Sequence, residues 1–167
     1  LERAIRENHK AATNGFWKRP AVWSLFPLVT AENATNIAIR DIGFDSPIKA
    51  DSRPLLSRYT TSPVHLFACT NAVLENLLVQ NSPADGISIQ GGSRVTTRHC
   101  VVRGCEGNGF HPGTDLGDSV FENNLSENNG VGLYFCWHNH RLAVRDNKLV
   151  RNRGGGITGL GNPSDVN

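Results

Sequence analysis

From residue 28 onward the chain alternates short apolar runs with polar turns. The runs at 28–31, 37–44, 64–67, 73–79, 87–89, 95–102, 110–113, 120–125, 133–135, 142–150 and 157–160 are rich in Val, Ile, Leu and Phe, and Asn or Gly separates most of them. Short alternating segments bounded by such residues predict β-strands, and none of these runs carries a helical period. The pattern also repeats. Gly86, Gly109, Gly132 and Gly156 recur at 23 (109−86), 23 (132−109) and 24 (156−132) residues. Asn76, His99, Asn123 and Asn147 keep nearly the same time, at 23 (99−76), 24 (123−99) and 24 (147−123). Self-similarity at such a period marks a repeat architecture. Several strands per repeat and no helix predict an all-β coil of stacked parallel strands, with about five to six rungs.

Stacking turns the period into columns, because adjacent rungs lie about 4.8 Å apart. Val64, Ile87, Phe110, Leu133 and Ile157 form one apolar column and are expected to face inward. Leu78, Val101, Leu125 and Leu149 form another. Arg40, Glu75, Arg98, Glu122 and Asp146 nearly alternate in sign, as do Asp45, Gln80, Arg103, Glu127 and Arg151. Opposite charges on neighbouring strands are favourable, which supports the register. Asn76, Asn123 and Asn147 are expected to form a side-chain amide ladder that His99 interrupts.

Two segments depart from the pattern. Residues 1–12 predict a short helix with Leu1, Ala4, Ile5 and Ala12 near one face, followed by an aromatic-rich stretch up to residue 27; together they suit a cap on the coil. Residues 46–62, with Pro47 and Pro54, predict an insertion loop between strands of one rung. The expected organisation is therefore a cap at 1–27 and a coil at 28–167. The chain is expected to be part of a longer protein.

Composition narrows the function classes. The 167 residues carry a net charge of +2, with lysines and arginines scattered singly, so no basic tract points to nucleic acid. No apolar run approaches the roughly 20 residues of a membrane span. The four cysteines, Cys69, Cys100, Cys105 and Cys136, lack zinc-site spacing and are expected as small buried apolar residues, with one disulfide between neighbouring turns as the alternative.

The repeats Asn-Ala-Val-Leu-Glu-Asn (71–76), Asn-Ser-Pro-Ala-Asp-Gly-Ile (81–87), Glu-Asn-Asn (122–124), Glu-Asn-Asn-Gly-Val-Gly-Leu (127–133) and Arg-Asp-Asn (145–147) resemble those of the right-handed parallel β-helix proteins. That architecture is shared by pectate lyases, alginate lyases and epimerases, and polygalacturonases. The resemblance implies a polysaccharide or oligosaccharide partner, a groove outside one sheet, and a secreted or cell-envelope location. It specifies fold better than activity.

Strand alternation places His65, Ser88, His111, Tyr134 and Thr158 opposite the inward column, as an outward polar stripe flanked by Phe67, Gln90 and Cys136. Elimination at a uronate needs a base, an acid and a group that neutralises the carboxylate. His111 and Tyr134, one rung apart, are the expected catalytic pair for a lyase or epimerase. His65, Ser88, Gln90, Asp115, Trp137, His138 and Arg141 are the expected substrate contacts, with Arg141, Lys18 or Arg19 facing the carboxylate and Trp137 stacking on a sugar. No cofactor is expected. The weaker metal reading places a transition metal on His138 and His140 with His111 or Asp115, and a calcium site is weaker still. No cluster of acids lies on the stripe, so hydrolysis ranks lower; Asp85, at a glycine turn, is expected to bond local backbone. The rival from another class is a non-catalytic binding or structural β-helix.

Overall fold

The alternating segments are strands, and the chain visits them in threes. The computed structural model describes residues 27–46, 62–159 and 164–166. The first rung holds β1 (Val29–Glu32), β2 (Thr35–Arg40) and β3 (Gly43–Asp45). The second holds β4 (Val64–Phe67), β5 (Thr70–Glu75) and β6 (Leu78–Gln80), and the third β7 (Ile87–Gln90), β8 (Ser93–Arg98) and β9 (Val101–Arg103). Next come β10 (Asn108–Pro112), β11 (Val120–Glu122) and β12 (Leu125–Glu127), then β13 (Val131–Phe135), β14 (His140–Arg145) and β15 (Lys148–Val150). Strands β16 (Ile157–Gly159) and β17 (Ser164–Val166) begin another rung.

Each strand pairs in parallel with the strand three elements away, giving three sheets: β1-β4-β7-β10-β13-β16, β2-β5-β8-β11-β14-β17 and β3-β6-β9-β12-β15. The fold is thus a parallel β-solenoid. There is no helix among the described residues, and so none long and apolar enough to cross a membrane. The expected N-terminal helix, the aromatic segment up to residue 26 and residues 47–61 of the expected insertion lie outside the described residues.

The apolar column stands in the expected register, Val64 beside Ile87, Ile87 beside Phe110, and Leu133 between Phe110 and Ile157. Val64, Ile87, Phe110 and Leu133 are buried in the core, where Phe110 meets Phe121 edge-on at 6.3 Å. Ile157, on the last strand of its sheet, is exposed. In the third sheet the register corrects the expected column. Leu78, Val101 and Leu125 align with Lys148, not Leu149, and all three are only half-buried. The inward row is their neighbours, Phe44, Val79, Val102, Ser126 and Leu149.

The charge column alternates fully, because Arg145 rather than Asp146 stands beside Glu122. Arg40 and Arg98 bracket Glu75 at 2.9 and 2.8 Å, and Arg145 meets Glu122 at 2.7 Å. The Arg98 and Arg40 guanidiniums hold the Glu75 carboxyl below its ordinary range. The second charge row runs Asp45, Gln80, Arg103, Glu127 as expected, but Val150 follows, and Arg151 reaches Glu127 from one position along.

The amide ladder is real but displaced by one residue. Asn76, His99 and Asn123 occupy left-handed turns with φ of 53, 54 and 54°, as does Asp146 at 56°. Asn, Asp and His tolerate that conformation better than most residues, which explains their recurrence there. The ladder is Asn124 on Asn147. The Asn124 amide donates to the Asn147 carbonyl at 2.9 Å and to Thr97 O at 2.9 Å, while its own oxygen accepts from Cys100 N at 2.9 Å. Asn129 caps the next corner in the same way, accepting from Cys105 N at 2.8 Å and donating to Val102 O at 3.0 Å.

The recurrent glycines are set by space. A Cβ on Gly109 would lie 2.2 Å from Ser126 Oγ and 2.8 Å from Gly132 O. Overpacking a filled interior costs about 1–3 kcal/mol. Gly109→Ala should therefore lower stability by that amount, read as a lower urea midpoint at unchanged slope.

Candidate functional site

His65, Ser88, His111, Tyr134 and Thr158 form one column on the first sheet, in the register expected. The column is not an open stripe. His65 is 6% exposed, and Ser88 and His111 are fully buried, while Tyr134 is half-buried. Alternation decides which face of a sheet a side chain leaves from; it does not decide whether that face meets water. A polymer laid along this sheet therefore cannot touch Ser88 or His111.

The buried centre is a charged network that climbs three rungs. Asp85, in the turn before β7, is fully buried, and its Oδ2 lies 2.7 Å from His111 Nδ1 on β10. Its Oδ1 accepts from the backbone N–H of Asn108 at 2.7 Å and from the Asn108 amide at 2.9 Å. Asp85 thus bonds the next rung, not the local turn that sequence suggested. Gln90 donates to Ser88 Oγ at 2.7 Å and borders the imidazole at 3.5 Å. The imidazole packs edge-on against the Tyr134 ring with centroids 5.3 Å apart. Thr114 Oγ1 donates to Cys136 Sγ at 3.2 Å.

Two opposed titrations result. Burial works against a charge on His111, but the hydrogen bond to Asp85, with help from Cys136, outweighs it and lifts the imidazole to about 9. His65 has no such partner, and its Nε2 makes no hydrogen bond among the described residues. Burial, and then the charge of His111, push His65 down to about 4. At neutral pH one histidine of the column is an imidazolium and the other is neutral. For Cys136, burial raises the thiol, but the nearby charge of His111 and the hydrogen bond from Thr114 reverse this and bring it below its ordinary value.

The remaining candidates lie apart from this network. His138 faces Asp115 at 3.3 Å, both exposed, and His140 Nδ1 lies 3.1 Å from His138 O. His111 is committed to Asp85, so the histidines and Asp115 do not converge; among the described residues no three metal-ligating side chains do. Arg141 is bidentate on Asp118, which its guanidinium holds below the ordinary carboxylate range. Trp137 is exposed beside Cys136. All four cysteines are free thiols, and Cys69, Cys100 and Cys105 are the buried residues expected, whereas Cys136 is half-exposed.

Sequence reasoning passed over a cleft of about 350 Å³ at the start of β10 and β13. It is lined by Glu106, Asn108, Val131, Tyr134 and Arg153, with Gly107, Gly130 and Gly154 as its backbone walls. Arg153 pairs there with Glu106 at 3.1 Å, both side chains more than half exposed. Asn108 joins this cleft to Asp85 underneath.

Fold and site together define a parallel β-solenoid with a buried carboxylate–imidazole pair packed against a tyrosine on one sheet. Residues 56–166, about two-thirds of the chain, match the model of the family described as the right handed beta helix region. The chain belongs to that right-handed β-helix family. Neither the curated proteins nor the solved structures yielded a match.

Proposed function

We propose that this β-helix domain acts on an acidic polysaccharide, as a lyase or epimerase of a secreted or cell-envelope protein, at the cleft beside Tyr134. The observation that carries this reading is the meeting of Tyr134 and Arg153 in one cleft, with the His111 imidazolium packed against the Tyr134 ring. Both reactions begin by removing the C5 proton of a uronate, and both need its carboxylate neutralised first. Arg153 has that charge. Its present pair with Glu106 is exposed and worth little, so a substrate carboxylate can replace it. Tyr134 is the proton-transfer group. His111 is a positioning residue, because it is buried and stays cationic; its charge would favour the Tyr134 phenolate, which takes the C5 proton and becomes a phenol. An epimerase then takes a proton from water on the other face, while in a lyase the phenol protonates the departing C4 oxygen.

Incubation with polyuronates, read by the ultraviolet absorbance of the unsaturated product and by the stereochemistry of the recovered sugar, tests the reading. Tyr134→Phe should lower turnover about a hundredfold with polymer binding retained, and Arg153→Gln should raise KM. Product formation that survives Tyr134→Phe would refute the mechanism. Binding without product in the native protein would favour the non-catalytic alternative.

A further inference from the structure

We propose that Asn108 is a specificity-determining residue of the cleft, its side-chain oxygen accepting a hydrogen bond from a ring hydroxyl of the uronate beside Tyr134. The inference rests on the polyuronate reading and adds which feature of the sugar is recognised. Asn108 opens β10 and lines the cleft together with Glu106, Tyr134 and Arg153. A side-chain amide has a donating end and an accepting end, and its surroundings decide which way round it sits. Asp85 decides it here. The buried carboxylate is an acceptor, and its Oδ1 lies 2.9 Å from the Asn108 amide nitrogen and 2.7 Å from the Asn108 backbone N–H. The nitrogen is therefore turned into the protein, and the oxygen is left to the cleft.

That oxygen accepts no hydrogen bond among the described residues. The buried corner amides are different. Asn124, Asn129 and Asn139 each accept, with their oxygen, a backbone N–H of the rung before, at 2.9, 2.8 and 3.2 Å. Asn108 has no such donor, and Val131, its neighbour on β13, brings no polar side chain to it. An amide oxygen bonds only a donor, so it suits a hydroxyl and not a carboxylate. The cleft therefore sorts the two ends of a uronate. The carboxylate goes to the Arg153 guanidinium, and a hydroxyl goes to Asn108. A 4-linked uronate within a chain keeps its C2 and C3 hydroxyls, and one of these is the donor. Asp85 thus has a second consequence for the site. Besides holding His111, it fixes the amide in the orientation that reads the sugar.

The test is a binding cycle between one side chain and one hydroxyl. Intact protein is titrated calorimetrically with trimers of 4-linked galacturonate, mannuronate and guluronate, and with the same trimers lacking either the C2 or the C3 hydroxyls. Native protein should bind a parent trimer about tenfold more tightly than one of its two deoxy forms, the size of one net hydrogen bond in an open cleft. Asn108→Ala should lose that preference, binding parent and deoxy trimers within about twofold of each other. A general loss of stability would weaken all the trimers alike and leave the preference in place. If Asn108→Ala does not fold, Asn108→Leu keeps the side-chain volume without the oxygen and should behave in the same way. Arg153→Gln, which acts on the carboxylate, should weaken every trimer and retain the preference. Equal binding of parent and deoxy trimers by native protein, or a preference that survives in the Asn108 variant, would overturn the role of Asn108 and leave the polyuronate reading standing. Failure of native protein to bind any parent trimer would overturn both.

Discussion

Asp85→Ala is expected to cost about 3–5 kcal/mol of stability, the range seen when one member of a buried ion pair is removed. Asp85 and His111 are both fully inaccessible, and the carboxylate accepts three hydrogen bonds, from His111 Nδ1, Asn108 N and the Asn108 amide. Truncation leaves the buried His111 and the half-buried Asn108 donors without their acceptor. The imidazole would then shed its proton, which limits the loss. The informative measurement is a double-mutant cycle with His111→Phe, followed by urea unfolding. Removing both partners should cost much less than the sum of the single changes, because no stranded charge remains. A native chain with an ordinary stability of about 5–15 kcal/mol would still fold with Asp85→Ala. Equal costs for Asp85→Ala with and without His111 would show that the pair is not coupled.

Why this pair escaped a reading of the sequence is a matter of geometry. A repeat period reports residues stacked directly over one another, about 23 positions apart. It placed His111 beneath Tyr134, and the alternating charges of Arg40, Glu75, Arg98 and Glu122 were legible for the same reason. Asp85 and His111 are 26 apart. Their contact runs diagonally across neighbouring rungs, and column alignment is blind to diagonals. The amide ladder was misplaced by one residue because Asn serves two purposes at adjacent positions. Asn123 adopts the left-handed turn, and Asn124 bonds the neighbouring rungs. The burial of Ser88 and His111 was not legible either, since it depends on what lies over the sheet's outer face and not on the strand's own alternation. Arg141 read from sequence as facing a substrate carboxylate; in the fold it pairs with Asp118 one rung below, at the left-handed turn before β11.

Stability should peak near pH 6.5 and fall on both sides, and each limb should trace to one histidine of the column. His65 is pushed down to about 4 in the folded protein from an ordinary value of 6.5. As pH falls from 6.5 toward 4, the unfolded chain binds a proton that the folded chain refuses, so stability drops. His111 is raised from 6.5 to about 9. Its contribution is fully present below 6.5 and is lost as pH rises toward 9, because the folded state then holds a proton that the unfolded chain has released. Shifts of this size amount to about 3 kcal/mol for each limb. Above the ordinary thiol range the raised thiols of Cys100 and Cys105 steepen the alkaline fall, while below that range Cys136, whose thiol is lowered, opposes it. Urea unfolding across the range, repeated on His65→Gln and His111→Gln, separates the limbs. His111→Gln should flatten the alkaline limb, and it should also make the acid limb shallower, because the charge that helps to depress His65 is gone. An alkaline limb that persists in His111→Gln would mean that the buried imidazole does not carry its proton, and the charge beside the Tyr134 ring on which the proposed function relies would be absent.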